Sequence, residues 1–405
     1  MKKSRVISLL VVALALSVVF AHVSEVDAAA DRTYYRSLIS AKAKNVYDSI
    51  YKHYIKDKKY TVKKVNINFD KYVTGSSKSN LRSNLSNVIE KGYYAFYYDH
   101  PEIISLYRGY HYHWYISRSG NTYSAYSVTV TVTEPYSGAS KQYGSFNKAV
   151  NTAYKKIKKN LPKKASREAK LYAIHNYICK KMTYSKKGND RKQVAVPAFL
   201  SPHKGVCESY ARSFKVLCDK FGIPCIQLSG NTYDSNGQGS HAWNYVQMTN
   251  KKWYLVDCTW DDQGKETLNT YFLKGTKSKG TDGKAIGSTR SPSKSIFTKY
   301  PKLNKSSYNG HLSCNMPKTK FTTLMWSGSS IICRWNKKTA KYGGSHITGY
   351  QIRYSTKKNM KNSKIKTIKG YNKSYAAFNI PKKYHWYMIR TYKKYKGFTI
   401  YGQWN

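Results

Sequence analysis

Acidic side chains are scarce in this sequence: 20 Asp and Glu stand against 71 Lys and Arg in 405 residues, a formal net charge of +51. An excess of that size implies an anionic environment. Nucleic acid is the obvious candidate, yet no helix-turn-helix, zinc-finger or single-strand-binding pattern is found, and the basic residues are dispersed along the whole chain. No nucleic-acid partner is expected. The C-x-x-C pairing is also absent among the 7 cysteines, Cys179, Cys207, Cys218, Cys225, Cys258, Cys314 and Cys333, so their spacing makes no zinc pattern. Neither a metal nor another cofactor is expected. Apolar residues are in normal supply at 40%, which excludes a disordered chain, and the length suits two or three domains.

Long apolar runs are missing except at the start, where Lys2, Lys3 and Arg5 precede VISLLVVALALSVVFA and small-residue sites follow at Ala21 and at Ala28 to Ala30. A positive leader, a short apolar core and small residues at the cleavage site are the marks of a secretory signal peptide, placed at 1–28. The mature protein is expected to be secreted or held at the cell surface. An anionic cell-wall or membrane polymer is then the expected partner for the basic excess.

The rest of the chain is organised around residues 205–262, which supply a cysteine, a histidine and an aspartate in that order: Cys207, His241 and Asp257. After Cys207 the residues Tyr210, Phe214, Leu217 and Phe221 recur on one helical face, which Gly222 and Pro224 stop. Cys207 therefore opens a helix, where unpaired N–H groups and the macrodipole favour a thiolate, and Gly205 lets the chain turn closely into it. Residues 241–248 and 253–257 alternate as strands do around a polar Thr249-Asn250-Lys251-Lys252 turn, giving a β-hairpin. His241 and Asp257 pair directly across it if it is centred on Thr249 with an odd loop; an even loop puts them on opposite faces. A thiol, an imidazole and a carboxylate in this arrangement suit acyl transfer.

The motifs GVCESYA, SHAWNYV and WYLVDCTWDD resemble those of the transglutaminase-like superfamily, in its secreted bacterial branch related to papain-like thiol enzymes. The resemblance covers residues 165–275 and implies a Cys207–His241–Asp257 triad acting on a protein or peptide substrate, with a peptidoglycan peptide among the candidates. Hydrolysis and transfer to an amine share the first half-reaction, and the motifs do not choose between them. No upstream residue offers itself as an oxyanion donor, which leaves the Cys207 backbone N–H. The alternative is a non-catalytic surface-binding protein with a degenerate domain of this type.

Before the motifs, an amphipathic helix is expected over 33–58, a second from Leu81 to Phe96, a helix-ending turn at Asp99-His100-Pro101-Glu102 rather than a metal site, a hairpin over 105–133 and helix again over 146–181. His175 in that last span reads as exposed or structural. Helices before the cysteine and strands after it make an α+β, transglutaminase-like (papain-like) catalytic core. Residues 317–405 turn all-β, with short strands at 331–335, 349–355, 363–368, 375–380, 386–392 and 398–404. Their core Trp335 and the ending RTYKKYKGFTIYGQW resemble a fibronectin type III domain, an immunoglobulin-like sandwich suited to binding or spacing. The expected organisation is a signal peptide (1–28), an N-terminal extension (29–145), a catalytic domain (146–305), a linker (306–316) and the sandwich (317–405).

Overall fold

The computed structural model describes residues 33–405 apart from 108, 186, 188, 235, 236 and 265; the expected signal peptide lies outside the described residues. The helix expected over 33–58 is interrupted. A turn at Tyr34–Ser37 precedes Ser40, whose hydroxyl accepts from Ala43 N–H at 3.3 Å and so starts α1, Ala41–Tyr51, afresh. A single π-helical stretch prolongs α1 to Lys56. Next comes β1, Lys64–Gly75, a strand not anticipated from sequence because a bulge between Asn68 and Val73 breaks its alternation. Ser77 caps α2, Lys78–Asp99, in the same way as Ser40. The hairpin is β2, Tyr110–Ser119, and β3, Thr122–Val132, and β1 joins it in the order β1-β3-β2.

The turn at the end of α2 has the expected form. Asp99 is buried and accepts from the N–H groups of Tyr35 and Arg36, while His100 bonds Tyr47 Oη and Glu102. These side chains are committed to different partners rather than to one ion.

Residues 146–181 form two helices, α3, Tyr143–Lys159, and α4, Arg167–Lys181, the second capped by Ser166. Then follow α5, Cys207–Lys220; β4, Cys225–Asp234; β5, Gly237–Gln247; β6, Trp253–Val256; the single turn α6, Cys258–Asp261; β7, Phe272–Lys274; and β8, Arg290–Pro292. The strands form one antiparallel sheet in the order β8-β4-β5-β6-β7. One face sends Cys225, Val246, Tyr254 and Val256 into a core shared with α3, α4 and α5. The other sends Ile226, Leu228, Trp243, Tyr245 and Leu255 into a core shared with α1, α2 and β1–β3. Burial on both faces accounts for the unbroken buried run of β5 from His241 to Val246, and it makes the N-terminal segment a structural half of the body built on this sheet.

Seven strands complete the chain: β9, Phe321–Ser327; β10, Ser330–Trp335; β11, Gly349–Ser355; β12, Lys364–Lys369; β13, Tyr375–Asn379; β14, Trp386–Tyr395; and β15, Phe398–Tyr401. β9 was not expected. They form antiparallel sheets β9-β10-β13 and β12-β11-β14-β15, whose inward residues, Ile331, Cys333, Trp335, Tyr350, Ile352, Phe378 and Ile389 among them, meet in one apolar cluster.

The stretch 306–316, expected as a linker, is packed. Glu168 accepts from Leu312 N–H, Ser313 N–H and Ser313 Oγ at 2.7–2.9 Å, and Leu312 and Cys314 are buried. Beside it, Tyr172 Oη donates to Thr399 O at 3.0 Å, and the Arg390 guanidinium lies 4.0 Å from the Tyr401 ring and 4.1 Å from the Trp404 ring while meeting Glu266 at 3.3 Å.

Candidate active site

Cys207 is the first residue of α5. The preceding Val206 has extended backbone, its N–H is fixed to Lys192 O at 3.1 Å, and no side chain caps the first turn. Close approach at this bend favours Gly205: a Cβ there would lie 2.5 Å from Met182 Cε and 2.8 Å from Ser209 Oγ, and those side chains would have to shift. The partial positive charge of the helix end thus meets the thiol directly. The neighbouring Glu208 carboxylate is held by Tyr97 Oη at 2.7 Å and lies 4.0 Å from Arg212, whose guanidinium stacks on the Tyr97 ring at 4.1 Å. The acid nearest the nucleophile is therefore occupied by its own partners. On the sheet side, Asn244 Nδ2 of β5 donates to Ala211 O of α5 at 3.0 Å and to Ile226 O of β4 at 3.3 Å, fixing the helix over the strand that carries His241.

His241 Nε2 lies 2.8 Å from Asp257 Oδ2, and both side chains are buried. The five-residue loop 248–252 has the required odd length, but the pairs Asn244–Val256 and Gln247–Trp253 centre the hairpin on Asn250, not on Thr249. The direct pairing expected of His241 with Asp257 is thereby corrected to a diagonal one, reached because the chain leaves β6 at Asp257. There the other carboxylate oxygen accepts Trp260 N–H at 3.2 Å and caps α6. With Nε2 engaged by the carboxylate, Nδ1 is the nitrogen left for the thiol, and Cys207 acts on His241 as a hydrogen-bond partner and as a charge.

Electrostatics reinforce the pair. Burial would by itself lower the His241 pKa, but the charge and hydrogen bond of Asp257, with those of Cys207, outweigh it and raise it to about 9. Burial likewise opposes ionisation of Asp257, yet His241 and Arg290 bring its pKa down to about 2.

Arg290 is one residue of the site that the sequence did not reveal. Its Nη2 donates to Asp257 Oδ2 at 2.8 Å, while its guanidinium covers the Trp260 ring at 4.1 Å and the Tyr271 ring at 4.8 Å. It comes from β8, within a Gly-, Ser- and Lys-rich stretch that carries no periodic signal. Trp260 in turn stacks on His241, centroids 5.2 Å apart, with Trp243 at 6.0 Å behind it.

Cys207 and His241 open onto a cleft of about 810 Å³. Its walls carry Tyr94 and Tyr98 of α2, Ser229 and Asn231 of β4, Ser291 of β8 and, on the strand of chain leading to Cys207, Gln193. Tyr98 Oη bonds Ser229 Oγ at 3.1 Å, so the N-terminal segment closes one side of the site. His175 stands outside the cleft and is fully buried rather than exposed.

Residues 154–258 match the model of the transglutaminase-like superfamily, a span that contains Cys207, His241 and Asp257. Among solved structures, the chain is similar to a TGase (18% identity over 37% of this chain and 44% of that one, TM-score 0.25). It is also similar to a candidate cysteine protease from Cytophaga hutchinsonii (17% identity, 37% and 64%, TM-score 0.24). Red sea bream transglutaminase aligns at 8% identity over 81% of this chain and 77% of that one, with a TM-score of 0.24. The chain spans less than two thirds of the length of the first two, and at these TM-scores the likenesses carry no argument of their own. No curated protein matches the chain.

Proposed function

We propose that the transglutaminase-like domain at residues 154–258 works as a thiol hydrolase of peptide or amide bonds, with Cys207, His241 and Asp257 as its triad. The observation that carries this is a cysteine at an uncapped helix N-terminus, sharing one cleft with a histidine whose far nitrogen is 2.8 Å from a buried carboxylate. The Cys207 thiolate attacks the substrate carbonyl carbon, and the oxyanion is met by the Cys207 N–H and by the Gln193 side-chain amide on the cleft wall. Collapse to the thioester breaks the C–N bond as the His241 imidazolium gives its proton to the departing amine. Water then attacks the thioester, His241 takes its proton, and the acid is released as the thiolate–imidazolium pair re-forms. Asp257, held between His241 and Arg290, keeps the imidazole oriented and charged.

Hydrolysis is favoured over amine transfer by the place of the two tryptophans. Trp243 and Trp260 pack behind His241, and neither lines the cleft, so neither shields the thioester from water. Export through the N-terminal leader, retention on an anionic wall polymer and a fibronectin type III-like role for residues 317–405 as a spacer complete the proposal, and a peptidoglycan peptide is the substrate that such a location offers.

The test is a peptide and amine-donor screen comparing the mature protein with Cys207→Ala, together with iodoacetamide mapping at mildly acidic pH. Turnover by the first and not the second, with alkylation concentrated on Cys207, is the expected result. Labelling of Cys207 no faster than a free thiol, with no turnover, favours the non-catalytic binder.

A further inference from the structure

Beneath the triad, on the side of α6 away from the cleft, four metal-ligating side chains converge. His175 and Cys179 lie one turn apart on α4, and Cys258 and Asp261 one turn apart on α6. The His175 nitrogen and the two sulfurs all lie within 4.8 Å of one another. Cys179 Sγ is 3.9 Å from His175 Nε2, and Asp261 Oδ2 is 3.0 Å from the same nitrogen. A tetrahedral shell with metal–ligand bonds of about 2.0–2.3 Å has edges of roughly 3.3–3.8 Å, so the His175 nitrogen and the two sulfurs are somewhat wider than such a shell, and Asp261, whose Oδ2 lies against the His175 nitrogen, would turn inward to serve as the fourth ligand. We infer that His175, Cys179, Cys258 and Asp261 form a structural site for a zinc-class divalent cation.

Three observations support this over ordinary packing. All four residues are at most 2% exposed, and although Cys179 Sγ also donates to Cys258 O at 3.3 Å, an ion pair of His175 with Asp261 would not by itself require two thiols beside it. The Asp261 carboxylate is fixed from outside by Tyr271 N–H at 3.0 and 3.1 Å, as ligating carboxylates are held in metal sites, and the Phe272 ring, 5.2 Å from His175, closes the shell with apolar surface. Charge also balances: two thiolates and a carboxylate on a divalent ion leave one net negative charge, and the buried Lys274 ammonium, which acts on Asp261, supplies the opposite one. One nitrogen, two sulfurs and one oxygen suit zinc, and the spacings His-x3-Cys and Cys-x2-Asp escape a search for C-x-x-C pairs. Binding releases the two thiol protons. Because Cys258 follows Asp257 directly, the ion would clamp α6 to α4 and steady the residue that orients His241.

The experiment uses the full mature chain, refolded from a chelator with Zn(II) or Co(II) and then gel-filtered. The expected result is about one metal per chain, visible d–d bands of tetrahedral Co(II)–thiolate, and a melting temperature lowered by chelator. The same holds in Cys207→Ala, which leaves all four ligands in place. Cys179→Ser and Cys258→Ser should bind at least about tenfold more weakly. Wild-type protein that keeps no metal and melts unchanged with chelator would overturn the site. So would a Cys179–Cys258 disulfide, two hydrogens lighter and seen as a linked peptide pair in metal-free protein. These readouts do not depend on turnover, so the site can fail while the thiol hydrolase stands, and the reverse.

Discussion

At the scale of single residues, the proposed triad depends on charges that are buried and paired. Cys207→Ala should abolish turnover while leaving the melting temperature within a degree or so, since it removes one half-exposed sulfur at a helix start. Asp257→Asn keeps the shape but removes the charge, and kcat should fall by more than about tenfold. The pH dependence follows from His241, whose pKa lies near 9 because Asp257 and Cys207 outweigh the effect of burial. A folded-state pKa raised above the ordinary 6.5 means that the imidazolium's contribution to stability is whole below 6.5 and is lost as pH rises through about 9. The alkaline limb of kcat/KM should fall in the same interval, and in Asp257→Asn it should move to lower pH; a limb that stays put would separate Asp257 from the ionisation of His241. Arg290→Met removes one of the two cations on a buried carboxylate, and chemical denaturation should show a loss on the order of 3 kcal/mol together with a reduced kcat. Gln193→Ala tests the second oxyanion donor, with kcat expected to fall by about a hundredfold and KM little changed.

At the scale of elements, the site is a junction of α5 with the central strand β5 and the edge strand β8, and its narrowest tolerance is at Gly230. A Cβ there would sit 2.1 Å from Ser291 O, a backbone atom of β8 that cannot rotate away, and Gly230 also pairs with His241 on its other side. Gly230→Ala should therefore push β8 outward and carry Arg290 with it. A stability loss of about 1–3 kcal/mol with a matching loss of turnover is expected, whereas unchanged values would show that β8 is not needed to place Arg290. Much of this element layer was legible in the sequence. The stripe from Tyr210 to Leu217 gave α5 and put Cys207 at its start, and the alternation around 249–252 gave the hairpin but left the parity of its loop open. Its centre was one residue off because side-chain alternation fixes faces and not the position of a turn. Arg290 and the Tyr98–Ser229 wall could not be read, since they join segments 33 and 131 residues apart that share no local pattern. In the same way β9 escaped notice because four of its seven side chains are exposed, which leaves it no clear apolar face.

At the scale of the whole molecule, the surplus of lysine predicts how the protein behaves towards polyanions. Lys357, Lys358, Lys361, Lys364 and Lys366 crowd one region of the C-terminal sheets, with Lys364 and Lys366 on the exposed strand β12. Retention of the mature chain on purified anionic wall polymer should fall by orders of magnitude between low and high salt if about six or more contacts form. Changing those five lysines to glutamine should flatten the salt slope; no retention even at low salt would mean that the charge serves solubility alone. The junction at Arg390 gives that attachment a further meaning. With Arg390 held against Tyr401 and Trp404 and joined to Glu266, and Tyr172 Oη on Thr399 O, the C-terminal sheets are braced against the transglutaminase-like body. A body fastened through such a brace would not swing on a tether. If the lysines hold the chain on such a polymer, the cleft would keep a constant heading and height above it, so which bonds it meets would be decided by where along the polymer those bonds lie, as a plough blade's depth is decided by its frame.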